Sequence, residues 1–232
     1  MCGRFALGIP KKRLEEVFSV PMPDDYSPRY NVAPGQEAVA VAARDGNISV
    51  RMLKWGLVPH WAKDTKIGFK MINARSETVF EKPAFREPVR SARCLIPAQA
   101  FYEWQRVDGR KQPFAISIND MDVFALAGLM AHWQDEATGE VVDSFTVLTC
   151  PPNELMAPIH DRMPVILKPD AWFNWLDPAI GEPDQLRTLF SPYPAQDMRA
   201  WPVGMVVNAV ANDGEQLLER VVNSHPKQGS LL

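Results

Sequence analysis

With 232 residues, 46% of them hydrophobic and 23% charged, the chain can bury a large core and has the composition of an ordinary soluble domain. No apolar run nears the ~20 residues that span a bilayer, and the N-terminus lacks the basic-then-apolar pattern of a secretion signal, so no membrane association is expected and the cytosol is the expected compartment. A net charge of −3 excludes coating of nucleic acid by bulk positive charge, and three scattered cysteines (Cys2, Cys94, Cys150) without a C-x-x-C pair point to neither a disulfide framework nor a zinc site.

The chain opens Met1-Cys2-Gly3-Arg4-Phe5. Removal of Met1 would leave Cys2 with a free α-amine beside its thiol, groups that titrate near ~7.7–8.0 and ~8.5 when unperturbed. Such a 1,2-aminothiol can form an imine with an aldehyde and then close a thiazolidine by thiolate attack. Taken alone, Cys2 reads first as an ordinary apolar residue starting a strand.

Pro10 to Val20 has the spacing of a short amphipathic helix, with Leu14, Val17 and Phe18 on one face, and Pro21 and Pro23 end it. Arg29 to Gly35 reads as a loop. Ala38 to Ala43 and Asn47 to Leu53 are predicted strands joined by the Asp45-Gly46 hairpin signal. Trp55 to Trp61 is too interrupted by Gly and Pro for a regular element, and Lys63 to Lys82 is basic and irregular. Arg93 to Ile96 predicts a buried strand stopped by Pro97.

Phe101 to Val107 alternates, with Glu103 sharing a face with Phe101, and Asp108-Gly109 turns the chain into a return strand over Pro113 to Ile118. Val123 to Met130 and Val141 to Thr149 are further strands. After Pro151-Pro152, Asn153 is placed to cap a short helix running to about Ile159, whose dipole supports the protonated form of His160 and so places it to titrate near neutrality. Asp170 to Leu176 and Pro183 to Phe190 predict short helices, and Met198 to Val207 a last strand. No linker or repeat divides the chain. The expectation is an α+β fold, one domain over residues 1–222 with a barrel-like, mainly antiparallel β core and short peripheral helices, then a flexible tail over 223–232.

Charge is unevenly distributed. Residues 51 to 95 carry ten basic side chains against four acidic ones, so an acidic body bears one basic segment, the pattern of a local polyanion site.

Six motifs occur in one order: Cys2-Gly3-Arg4-Phe5, Arg29-Tyr30-Asn31-Val32-Ala33-Pro34-Gly35, Trp55-Gly56-Leu57-Val58-Pro59, Asn73-Ala74-Arg75-Ser76-Glu77-Thr78, Phe101-Tyr102-Glu103-Trp104 and Ile159-His160-Asp161-Arg162-Met163-Pro164. In this the chain resembles the SOS response-associated peptidase (SRAP) family, whose members cross-link to abasic sites in single-stranded DNA. The resemblance implies a barrel-like core and a positive groove leading to the N-terminal cysteine. By position it implies that Cys2 is the cross-linking nucleophile, that Asn73 positions the lesion or the amine, that Glu103 is the acid/base carboxylate and that His160 lies beside the sugar. Arg4, Arg75, Lys82 and Arg162 would line the DNA path, with Pro34 and Trp61 as apolar surfaces for nucleotides. Pro83 stands where some relatives have an arginine, which leaves the phosphate contact expected there either to Lys82 or Arg86 or missing.

The expected partner is single-stranded DNA containing abasic sites, bound by a monomer without cofactor or metal. Lyase chemistry by β-elimination stays open beside cross-linking, and peptidase activity is expected only as self-processing. Two other classes also stay open: an N-terminal-nucleophile peptidase using Cys2, Glu103 and His160, and a non-catalytic single-strand binding module with a structural Cys2.

Overall fold

A computed structural model describes residues 2–44, 47–107 and 109–221. Its strands are β1 (Phe5–Leu7), β2 (Arg29–Val32), β3 (Glu37–Arg44), β4 (Asn47–Trp55), β5 (Asn73–Arg75), β6 (Arg93–Ala98), β7 (Ala100–Val107), β8 (Arg110–Ile118), β9 (Phe124–Gln134), β10 (Val141–Cys150), β11 (Met163–Pro164), β12 (Ile166–Leu167) and β13 (Met198–Pro202). Four short helices lie among them: α1 (Lys11–Phe18), α2 (Pro88–Ser91), α3 (Trp172–Leu176) and α4 (Pro183–Arg187).

Strands β10, β4, β3, β6 and β9 pair in that order, and β9 pairs back onto β10, closing a five-strand barrel. All of its pairings are antiparallel except β10 with β4. A second sheet runs β13-β8-β7-β1-β2, antiparallel throughout. The two layers meet over an aromatic column in which Trp55 lies 5.3 Å from Phe5 and 5.9 Å from Phe145, ring centre to ring centre. All three rings are buried, so the column fixes β1 and the residues that precede it.

Most predicted elements are present, and the differences have physical causes. Arg29–Val32 is a strand, not a loop, because β1 offers it an edge (Phe5↔Val32). β6 runs through Pro97: its last pairing with β3 is Val41↔Leu95, so the missing N–H falls where no second neighbour needs it. The expected helix before His160 is a series of turns. Asn153 does cap it, its Oδ1 accepting from Met156 N–H at 2.9 Å, but the bonds never propagate beyond one turn. The last strand ends at Pro202, and residues 205–208 form a 3₁₀ turn. Asp45, Gly46 and Asp108 lie outside the described residues, as does the tail, although β3–β4 and β7–β8 pair as the two turn signals require.

Candidate active site

Cys2 enters the molecule directly ahead of β1, whose three residues are all buried. It is itself fully buried, and it meets a second chain segment at β5. Asn73 opens that strand, which lies parallel to β10 (Asn73↔Val147) and so faces the point where β1 begins. The Asn73 Nδ2 donates to the Cys2 carbonyl at 2.8 Å, while its Oδ1 is buried with no hydrogen-bond partner. A buried acceptor left open costs about 1–3 kcal/mol, which marks it as a place where a donor is wanted.

Glu103 comes from β7, and its side chain is almost wholly buried. Burial is the main cause that pushes its carboxyl up to about 7. The His160 Nε2 lies 3.9 Å from Glu103 Oε2. At its other nitrogen the ring meets two groups with opposite needs. The Arg162 backbone N–H donates to Nδ1 at 3.1 Å, which requires a lone pair there, whereas the Asp161 carboxylate at 2.8 Å would accept a proton from it. Burial lowers the His160 pKa, and Asp161 is largely in water, so the neutral ring prevails. Its single proton then sits on Nε2, the nitrogen that faces Glu103. The titration near neutrality expected of His160 from a helix dipole is therefore moved downward, since the helix is absent and burial lowers the pKa. The Cys2 thiol is corrected as well: burial first, and Glu103 second, push it above an ordinary thiol.

The expected DNA-path residues divide into two sets. Arg75, Lys82 and Trp61 are exposed and, with Asn73, line an open pocket of about 320 Å³. Pro34 is half-buried just before Gly35, beside which Phe69 projects. Arg4 and Arg162 instead brace the site. Arg4 donates to Asn31 Oδ1 and to the Val207 carbonyl, both at 2.8 Å, and lies over the Trp104 ring. Arg162 grips both oxygens of Glu77 and donates to the Thr149 carbonyl at 2.7 Å. Its guanidinium holds Glu77 at about 2.

Among the described residues no three His, Cys, Asp or Glu side chains gather so as to hold a metal ion. The basic segment overstates the charge at the site. Arg51 pairs with Asp143, and Arg93 is buried with its donors on the carbonyls of Val89, Arg90, Trp175 and Asp177. Reading the sequence missed Phe69, which is 67% exposed among lysines, and Asn31, whose amide binds the carbonyls of Ala209 and Asn212 and thereby fixes the loop beside Trp104. An aromatic flanked by Lys66 and Lys70 was a usable signal for the first; nothing local announced the second.

Residues 1–210 match the family model described as SOS response associated peptidase (SRAP). The chain belongs to the SRAP family. It is 45% identical to the abasic site processing protein YoqW of Bacillus subtilis, over 94% of this chain and 99% of that one. It is 31% identical to the abasic site processing protein HMCES of Xenopus tropicalis, covering 90% of this chain and 70% of that one. A crystal structure of a Bacteroides thetaiotaomicron protein superposes with a TM-score of 0.87 at 25% identity, over 95% of this chain and all of that one. A phage-related protein of Bordetella bronchiseptica superposes at 0.68 with 29% identity, over 87% and 94%. Four of the six motifs thus converge in space, because the segment ahead of β1, strands β5 and β7, and the turns before β11 deliver Cys2, Asn73, Glu103 and His160 to one place.

Proposed function

We propose that this SRAP protein processes abasic sites in single-stranded DNA by forming a covalent cross-link through Cys2, once removal of Met1 has freed its α-amine. The observation that carries the reading is the placement of Cys2 between an amide with an open buried acceptor, Asn73, and the Glu103–His160 pair. The relatives' names, abasic site processing proteins, support the coarser part of it, action on abasic sites.

The residues divide the chemistry as follows. The Nε2–H of neutral His160 hydrogen-bonds the sugar ring oxygen as the C1–O ring bond breaks and the C1 hydroxyl proton passes to that oxygen, leaving a C1 aldehyde and an open-chain hydroxyl. Asn73 Oδ1 accepts from the Cys2 amine and aims its lone pair at the carbonyl carbon. As the C–N bond forms, the carbonyl π pair goes to oxygen and one amine proton passes to it, giving a carbinolamine; Glu103, near half-protonated at neutral pH, then gives its proton to the hydroxyl, which departs as water. The carboxylate so formed takes the proton of the Cys2 thiol, which the buried setting would otherwise keep on sulfur. Sulfur closes onto the iminium carbon to give a thiazolidine. One water leaves, one C–N and one C–S bond form, and nothing is oxidised or reduced. A lesion without a base needs no base code, so binding rests on phosphates and stacking at Trp61, Arg75 and Lys82.

Incubating the protein with an abasic oligonucleotide and then denaturing it tests the reading. A heat-stable adduct is expected, absent in Cys2→Ala and at least ~100-fold slower in Glu103→Gln, the scale of a lost general acid. An adduct that forms equally well in Cys2→Ala, or cleavage of a peptide in its place, rejects it.

A further inference from the structure

His160 Nδ1 meets two groups that no single protonation state satisfies. The Arg162 backbone N–H donates to it at 3.1 Å, and an Asp161 carboxylate oxygen stands 2.8 Å from it. With a lone pair on Nδ1 the first contact holds, and the second sets lone pair against lone pair. With a proton on Nδ1 the second becomes a charge-assisted hydrogen bond, and the first sets proton against proton. The two partners also differ in freedom. The Arg162 backbone is held in place, because its guanidinium grips Glu77 and donates to the Thr149 carbonyl at 2.7 Å. The Asp161 side chain is 87% exposed, so it can turn toward the ring or away from it in water at little cost.

The other ring nitrogen faces inward, 3.9 Å from Glu103 Oε2, on a side chain only 3% exposed. The imidazole therefore bridges a buried carboxylate on β7 and a solvated one on its own segment. The remaining charges near the ring are positive. Arg106 and Lys111 edge the depression that Glu103 and His160 share, and the chain's N-terminus adds to burial in lowering the ring's pKa, while Asp161 acts in the opposite direction.

We infer that Asp161 is a positioning residue for opening of the lesion sugar: it takes over His160 Nδ1 from the Arg162 N–H, so that a solvent proton enters the imidazole at Nδ1 as the Nε2 proton leaves for the sugar ring oxygen. This rests on the abasic-site cross-linking reading above. The net transfer of the C1 hydroxyl proton to the ring oxygen then runs in two halves. The C1–O ring bond breaks with its electron pair on the ring oxygen, which takes the Nε2 proton. The O–H pair of the C1 hydroxyl becomes the C=O π pair, and its proton goes to the Glu103 carboxylate. His160 stays neutral overall, with its proton now on Nδ1 and shared with Asp161, and Glu103 is left protonated for the carbinolamine step.

The test compares wild type with D161N on two strands, one carrying the ring-closed abasic sugar and one in which an acyclic aldehyde replaces it. On the sugar, D161N is expected to cross-link about three- to fivefold more slowly at pH ~7.5, the scale of an ion pair with one member in water. The ratio should fall toward one near pH ~5, where solvent protonates the ring in both proteins. On the acyclic aldehyde, which has no ring to open, the deficit should vanish. The His160 imidazole titration followed by NMR, assigned against H160Q, should have its midpoint lower by roughly half a pH unit in D161N. Equal slowing on both strands, a ratio that does not change with pH, or no slowing on either overturns the inference. If wild type forms no adduct at all, the cross-linking reading fails by itself, and the titration still decides: a midpoint unchanged by D161N overturns the role of Asp161.

Discussion

Glu103 couples the chemistry of the site to the stability of the fold. Its folded value near 7 stands above the ordinary carboxylate value of 4.5, so between those limits the folded state holds a proton that the unfolded chain releases. Stability must therefore be fully present below about pH 4.5 and fall as pH rises through about 7, by on the order of 3 kcal/mol. Glu103→Gln keeps the shape and removes the ionisation. It is expected to be more stable than wild type above pH 7 and to lose the slope between pH 5 and 8, as read by urea unfolding at fixed pH steps. A parallel slope in the variant would place the titration elsewhere. Cys2, Asn73, Glu103 and His160 could be singled out in the chain because each sits in a motif, and the fold brings them near one another. Their protonation was not legible, since it follows from how deeply each is buried, and burial depends on segments far away in sequence.

At the scale of elements, the loop between β4 and β5 carries Trp61 and is anchored by two glycines. Gly56 has φ of +125°, and a Cβ there would lie 2.7 Å from the Gly68 carbonyl oxygen, while one on Gly68 would lie 2.6 Å from the Gly56 oxygen. Two backbones cross in contact at this point. Gly56→Ala is expected to cost about 2–4 kcal/mol and to loosen Trp61, seen as a lower urea midpoint and altered Trp fluorescence. Gly109→Ala is the control: φ is +75° but nothing lies within 4 Å, so only about 1–2 kcal/mol of backbone strain is expected. Equal losses in the two variants would show that the crossing does not matter. The hairpins were legible because Asp-Gly turns and alternating strands are local signals. β2 and β5 were not, since a strand of three or four residues exists only where a distant partner presents an edge, as β10 does for Asn73–Arg75.

At the scale of the molecule, a net charge of −3 and a few exposed cations around the site predict weak, salt-sensitive affinity for intact strands. Engagement of Arg75 and Lys82 gives a slope of roughly −1.4 in log K against log salt. Fluorescence anisotropy on an undamaged oligonucleotide from 25 to 200 mM salt, on the order of the usual working range, measures it. A slope near zero would remove phosphate contact as the basis of binding. By itself the sequence determined the strands with local turn signals, the amphipathic α1, the apolar core and the residue types of the chemistry, because these depend on neighbours a few positions away. Only the tertiary structure decided that the barrel closes through β9 and β10 and that Arg4 and Arg162 brace the site from within. It alone decided how deeply Cys2, Glu103 and His160 are buried. Each of these is set by contacts between segments tens of residues apart, and one chain read in order carries no measure of those distances.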